Sequence, residues 1–256
     1  MGARAVREAA KWDGIVRLGI VAAFDREARM LLGRAGGMAV ELSECRPVDG
    51  SVRSLIVFAG VGAECARVAC ARLLDNGATA LLSWGLAAGL DGALSPGSLL
   101  LPRAIIDAQL REHAVHQRWH RELCARLNDR FAVHTAPLAE SRLLLSTPAQ
   151  KRALMLHSTA IAADMESAAV AALARAADVP FVAIRAVSDT ALTRVPPWLS
   201  GAIDGAGRLA AAQVIKQVIV RPVDWPAVSR LALGFRAARA TLAGVARQID
   251  AGFLAA

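Results

Sequence analysis

Ala163-Asp164-Met165-Glu166-Ser167-Ala168-Ala169 is the stretch on which the reading of this chain turns. The residues before it, Thr159-Ala160-Ile161-Ala162, are short, apolar and compatible with a strand. Residues 168–177 are rich in Ala and Leu and favour a helix. Asp164 and Glu166 therefore stand where a strand hands over to a helix. In an open α/β sheet, ligands bind at the carboxyl ends of strands. A glutamate in the first turn of a helix also complements the helix dipole, so these residues alone leave both roles open for Glu166. A second stretch adds weight to the ligand role. Phe181-Val182-Ala183-Ile184-Arg185-Ala186-Val187 reads as a buried strand and runs into Ser188-Asp189-Thr190-Ala191. Two acidic strand ends joined by one helix predict a βαβ unit with both ends on one rim. Carboxyls that converge on a cleft suit general acid/base work and the binding of sugar hydroxyls.

Length and composition fit one α/β domain. The chain has 256 residues, 55% of them hydrophobic, enough to bury a large core. Tyr is absent and aromatics make up 4%, so that core is built from Ala, Leu and Val. The formal net charge of +8 implies affinity for anions. There is no Lys/Arg run and no aromatic ladder, which argues against nucleic acid as a partner. Cys45, Cys65, Cys70 and Cys124 form no Cys-x-x-Cys pair and read as reduced thiols of a cytoplasmic protein. Residues 1–14 are charged, lack the apolar centre of a signal peptide and read as a tail. Val6 breaks the myristoylation pattern. The longest charge-free apolar run, residues 77–90, is too short to span a bilayer.

Along the chain, residues 15–23 form a first strand, followed by Phe24-Asp25-Arg26-Glu27 and a helix to about residue 32. A second strand, 52–59, ends in Gly60-Val61-Gly62-Ala63, and a helix then runs to Leu74. Gly60-x-Gly62 lacks the third glycine of a dinucleotide fingerprint. It reads better as a tight turn whose N–H groups approach an anion or a ligand edge. Residues 79–84 form a third strand, with Gly85-Leu86-Ala87-Ala88-Gly89 as its loop, small enough for a flat ligand to lie close to the backbone. His113, His116 and His120 have the spacing of a metal-binding trio, though exposed histidines on a polar connector are commoner. Further strands are expected at 98–101 and 142–146, an extended segment at 131–137, and helices at 122–128 and from Pro148. Val195-Pro196-Pro197-Trp198 is either a rim wall or plain loop packing.

An amphipathic helix is expected over 202–220 and a last one over 226–249. In the latter, Val228, Leu231, Phe235, Ala238, Leu242, Val245 and Ile249 alternate spacings of three and four. Packing on the protein's own sheet is the favoured reading of that seam. A partner subunit, a greasy substrate or a membrane surface is the alternative, because Arg230, Arg236, Arg239 and Arg247 flank it.

Gly19-Ile20-Val21-Ala22-Ala23-Phe24-Asp25-Arg26-Glu27, Ala59-Gly60-Val61-Gly62, Gly85-Leu86-Ala87-Ala88-Gly89, Asp164-Met165-Glu166-Ser167-Ala168-Ala169 and Arg185-Ala186-Val187-Ser188-Asp189-Thr190-Ala191 occur in this order. In this the chain resembles the purine nucleoside phosphorylase/methylthioadenosine nucleosidase superfamily over about residues 15–220. It looks most like the hopanoid-associated phosphorylase subfamily, which is held to remove adenine from adenosylhopane. The resemblance implies a single α/β domain with a central twisted mixed sheet flanked by helices, followed by a helical extension at 221–256. It implies cleavage of the adenine N-ribosyl bond of a 5′-substituted adenosine. Asp189 would be the acid that protonates N7, and Ser188 would hold it. Glu166 would bind the ribose hydroxyls, Met165 would lie against the ribose, and Glu27 would activate the attacking water. Gly60, Gly62, Gly85 and Ala87 would line the substrate.

The glycine-rich stretch after the third strand departs from the phosphorylase pattern: Ser83 and Leu86 stand there and no arginine does. That absence, with Glu27, leans towards hydrolysis; inorganic phosphate would be the co-substrate of the phosphorolytic route. No redox cofactor and no metal is implied. Trp84, Leu86 and Ala87 suit an apolar 5′ group. A homodimer with peripheral contact at the inner membrane is the expected setting. The alternatives are a methylthioadenosine/S-adenosylhomocysteine nucleosidase and, from another class, a purine-binding or peripheral membrane protein without turnover.

Overall fold

The computed structural model describes residues 16–23, 31, 43–45, 52–58, 60–202 and 220–249. Three strands and a helix open the fold: β1 (Val16–Ala22), β2 (Ser43–Cys45), β3 (Val52–Phe58) and α1 (Ala63–Asp75). The long β4 (Ala80–Gly89) follows, then β5 (Leu99–Leu100), β6 (Ala104–Ile106), β7 (Glu112–Ala114) and α2 (Gln117–Leu127). Next come β8 (Val133–His134), β9 (Leu138–Glu140), α3 (Pro148–Ser158), β10 (Ala162–Asp164), α4 (Ser167–Ala176) and β11 (Phe181–Asp189). The last described helix is α5 (Trp225–Gln248). The strands join in one mixed sheet, so the expected α/β architecture is the observed one.

β4 is the axis of that sheet. Its first half pairs in parallel with β1 on one edge, and β11 runs parallel along the other edge. At Trp84 β1 leaves, and β10 takes the vacated edge at Ala88 and Gly89, in the antiparallel sense. Leu18, Leu81, Leu82, Trp84 and Ile184 are fully buried around this axis. Each such large apolar side chain contributes about 1.5–3 kcal/mol on burial.

Several expectations change. Gly85 to Gly89 is not a loop but the continuation of β4, held by ladder bonds to β11 and β10. β10 and β11 are not a parallel βαβ pair: one runs antiparallel to β4 and the other parallel. Their acidic ends still meet, because β4 lies between them. Residues 142–146 form no strand; the extended segment expected at 131–137 holds β8, paired with β5, and β9 follows it, paired with β6 and β10. Helix α2 starts five residues before the expected 122, with His116 as its N-cap. The helix expected before residue 32 and most of that over 202–220 lie outside the described residues.

The C-terminal seam packs on the protein's own sheet. Leu231, Gly234, Ala238, Leu242 and Val245 are buried against the core, and Arg230, Arg236, Arg239 and Arg247 face outward. Among the described residues no helix is long and apolar enough to cross a membrane.

Candidate active site

The site grows from a fault in β11. The pairing of β11 with β4 slips between Val187 and Asp189, a bulge that leaves Ser188 out of register. Bulges re-aim the side chains beside them, and here the side chain is that of Asp189, which is buried. Ser188 Oγ lies 2.7 Å from Asp189 Oδ1 and 3.2 Å from the carbonyl of Ala87. Its single proton serves either acceptor, so Asp189 is satisfied both with and without a proton on Oδ1.

The other oxygen of Asp189 is bound by a residue that the sequence did not single out. Lys151, in the first turn of α3, is fully buried and donates from Nζ to Asp189 Oδ2. The same Nζ reaches the carbonyls of Thr190 at 2.7 Å and Thr193 at 3.3 Å. Three acceptors match the three N–H donors of an ammonium. The local sequence sets this up: Thr147 and Gln150 form a capping box and Pro148 sits at the start of the helix. That fixes the first turn and aims Lys151 at the end of β11. Thr190 and Thr193 close the following turn, their hydroxyls 2.9 Å apart. One signal was present in the sequence: Lys151 is one of only three lysines in a chain whose Lys and Arg total 30.

Across β4 lies the second acidic end. Ala88 has Ala163 as its partner on one edge and Asp189 on the other. Two strand spacings, about 10 Å, therefore separate the backbones that carry the two carboxylate groups. Asp164 is not free to work on a ligand. Its Oδ2 accepts from Arg185 Nε at 2.7 Å and from Ser167 Oγ at 2.5 Å. Arg185 Nη2 donates to Ser83 Oγ at 2.7 Å, and Arg185 Nη1 is buried with no partner among the described residues.

Glu166 stands at the N-cap of α4, and its Oε1 accepts from the Gly62 N–H at 2.8 Å. Gly62 has φ +101°, a backbone that L side chains rarely adopt, and that turn aims its N–H at the carboxylate. The anion expected at the Gly60-x-Gly62 turn is thus Glu166 itself. Burial pushes the Glu166 carboxyl up from 4.5 to about 7, helped by the charge of Asp164. Arg185 and the N–H groups of Gly62 and Met165 oppose that rise. Met165 is half-buried beside it.

Of the residues expected to contribute, Glu166, Met165, Ser188, Asp189, Gly62 and Ala87 come to one region, while Gly85 is a β4 partner of Arg185. Gly60 precedes the turn with φ +82°. Glu27 and Ala59 lie outside the described residues. Trp84 is fully buried in the core and lines no open surface, whereas Leu86 is half-buried. Trp198 bonds Asp224 through its indole N–H at 2.8 Å. The histidines separate: His113 pairs with Asp107 at 3.0 Å, His120 meets the Leu101 carbonyl, and His116 caps α2. No group of three His, Cys, Asp or Glu among the described residues is placed to hold a metal.

Comparison with known proteins places the fold. The chain is 24% identical over 229 residues to the 5′-methylthioadenosine/S-adenosylhomocysteine nucleosidase of Tolumonas auensis, covering 78% of this chain and 97% of that one. Its fold is similar to the solved Helicobacter pylori 5′-methylthioadenosine/S-adenosylhomocysteine nucleosidase, with a TM-score of 0.65 at 16% identity over 93% of this chain and 100% of that one. It is also similar to the futalosine hydrolase of Helicobacter pylori, with a TM-score of 0.64 at 15% identity over 92% and 99% of the two chains. The family model described as the phosphorylase superfamily matches residues 17–220, and the chain belongs to that superfamily.

Proposed function

We propose that this enzyme cleaves the N-ribosyl bond of a 5′-substituted adenosine, with water as the nucleophile. The observation that carries the reading is the pair of acidic strand ends on the two edges of β4, meeting at Ala88. An acid on one side and a sugar-binding carboxylate on the other are what this bond requires. Asp189 gives a proton to N7 of the purine as the C1′–N9 bond breaks, and the bonding electron pair goes to N9. Glu166, ionised, accepts from the ribose hydroxyls and opposes the positive charge that grows on the sugar. Met165 lies against the ribose, and Glu27 takes a proton from the attacking water, as the family resemblance implies. Hydrolysis is preferred to phosphorolysis because, among the described residues, the buried guanidinium of the region, Arg185, already gives Nε to Asp164 and Nη2 to Ser83, which leaves Nη1 alone for an anion.

For the 5′ group we favour a large apolar substituent, as in adenosylhopane, on the strength of Leu86 and the alanines Ala87 and Ala88 along β4. A second reading, methylthioadenosine or S-adenosylhomocysteine, draws its support from the relatives that carry those names. One assay separates them: adenine release from adenosylhopane and from methylthioadenosine, with and without phosphate, following the sugar product by mass. Free ribosyl product from adenosylhopane without phosphate is expected. Turnover of methylthioadenosine alone overturns the apolar substituent. A 1-phosphate product overturns hydrolysis. Release of adenine from neither compound overturns the 5′-substituted adenosine as the substrate of this site.

A further inference from the structure

An acid must hold a proton before it can give one, and Asp189 is bound to an ammonium. Lys151 Nζ has three acceptors, Asp189 Oδ2 and the carbonyls of Thr190 and Thr193, and none of its surface reaches solvent. In this ion pair the one labile proton resides on Lys151. We propose that the acid of the site is the Lys151–Asp189 pair, in which Lys151 is a positioning residue that stores the proton Asp189 delivers. This rests on the N-ribosyl cleavage proposed above.

The step balances as follows for hydrolysis. A proton passes from Lys151 Nζ to Asp189, and the Asp189 carboxyl so formed gives it to N7 of the purine. The C1′–N9 bond breaks, its electrons go to N9, and the oxygen of water bonds to C1′. The proton that this water gives to Glu27 passes on to solvent, and Asp189 takes one up from solvent once adenine has left and returns it to Lys151. Asp189 is a carboxylate before and after, and Lys151 passes through the neutral amine. Ser188 fits the transfer, because its hydroxyl satisfies Asp189 Oδ1 in either state.

The surroundings favour a proton kept within the pair. Among the described residues, Arg152 on α3, Arg194 after β11 and Arg230 on α5 are exposed. Across β4, Asp164 and Arg185 are bonded to each other, and Glu166 is bonded to Gly62. The packed segments of β4 and α5 nearest the pair offer Ala87, Ala88 and Gly234, none of which carries charge.

The experiment is the pH dependence of kcat/KM for adenine release by the wild-type chain and by Lys151→Met, on whichever adenosine the wild type cleaves. Without its proton store, the buried Asp189 must take each proton it delivers from solvent. The ratio of wild type to variant is then expected to rise by about tenfold or more from pH 5.5 to pH 9, as solvent protons become scarce. Taking the ratio removes whatever Glu166 contributes to both proteins. A ratio that is flat with pH overturns the proposal, since a side chain that only held Asp189 in place would lower the rate by one factor throughout. A ratio that falls with pH also overturns it. Should Lys151→Met not fold, Lys151→Arg decides: a guanidinium keeps the charge beside Asp189 but does not give up its proton, so kcat/KM is expected to fall about tenfold or more, and a wild-type rate overturns the idea. Wild-type protein that releases no adenine fails at the earlier reading, so the two failures are distinguishable.

Discussion

Glu166 and Asp189 are both buried carboxyls, yet their partners give them opposite tasks. Glu166 has only N–H groups and a distant guanidinium to offset its burial, and its folded-state value of about 7 lies above the 4.5 of the free group. A carboxyl raised by folding contributes stability that is complete below its unfolded value and is lost as pH rises through its folded one. The thermal stability of the wild type is therefore expected to fall as pH rises from 5 through about 7, and Glu166→Gln to flatten that slope. Binding runs the other way. The ionised form, present above about 7, accepts from the ribose, so KM is expected to fall as pH rises through that value. Loss of a charged hydrogen bond of about 2 kcal/mol predicts a KM roughly thirtyfold higher for Glu166→Gln at pH 8. At Asp189 the neighbour is a full charge. Asp189→Asn is expected to lower the rate of adenine release by about 10²–10⁴. It also strands the Lys151 ammonium in the interior, which costs about 3–5 kcal/mol. Adding Lys151→Met to that variant removes the stranded charge, so the unfolding midpoint should recover while the rate does not. Equal midpoints for the single and double variants would show that the pair carries no buried charge.

At the scale of elements, helix α5 fixes the end of β11 as much as β4 does. A Cβ built on Gly234 would fall 2.0 Å from the Ser188 carbonyl oxygen, a backbone atom that cannot swing aside. Gly234→Ala must therefore shift either the helix or the bulge that carries Asp189. We expect about 1–3 kcal/mol of destabilisation, together with a fall in kcat/KM. Gly244→Ala is the matched control on the same helix. Its Cβ would meet the ring edge of Phe131 at 3.0 Å and the tip of Arg247 at 3.9 Å, and side chains can yield. The comparison is read by unfolding and by kinetics, and equal losses in the two variants would remove the special role of residue 234. Helix α3 shows how much of an element is locally written. Thr147, Pro148 and Gln150 mark its start unambiguously, and the structure agrees. The residues it buries most deeply, however, are Lys151 and Ser158, with Leu154 and Met155 half-buried between them. Hydrophobic periodicity is blind to such a face, which is why the partner of Asp189 was not legible.

For the molecule as a whole, the last helix is part of the common core and not an appendage. Ala238, Leu242, Val245 and Ile249 belong to the same buried cluster as Leu18, Leu82 and Ile184. Leu242→Ala is expected to lower the stability of the entire chain by about 2–5 kcal/mol in a single transition followed by circular dichroism. Removing residues 224–256 would then abolish action on long and short substrates alike, because the sheet loses its cover. A truncated protein that still unfolds cooperatively would contradict this.

The sequence by itself determined the alternation of strands and helices, the superfamily motifs and the position of each acidic residue at a strand end. Those features are local: apolar runs, turn glycines and caps act within a few residues. It also gave the seam of α5 correctly, because a three-four spacing is legible without knowing the partner surface. Only the tertiary structure decided that Gly85 to Gly89 is strand, that β10 runs against β4, and that Gly62 meets Glu166 across 104 residues of chain. The bond from Lys151 to Asp189 spans 38 residues in the same way. A strand's direction and a buried charge's partner depend on which segments the sheet brings side by side. That is settled by the packing of the whole core, not by any window of the chain.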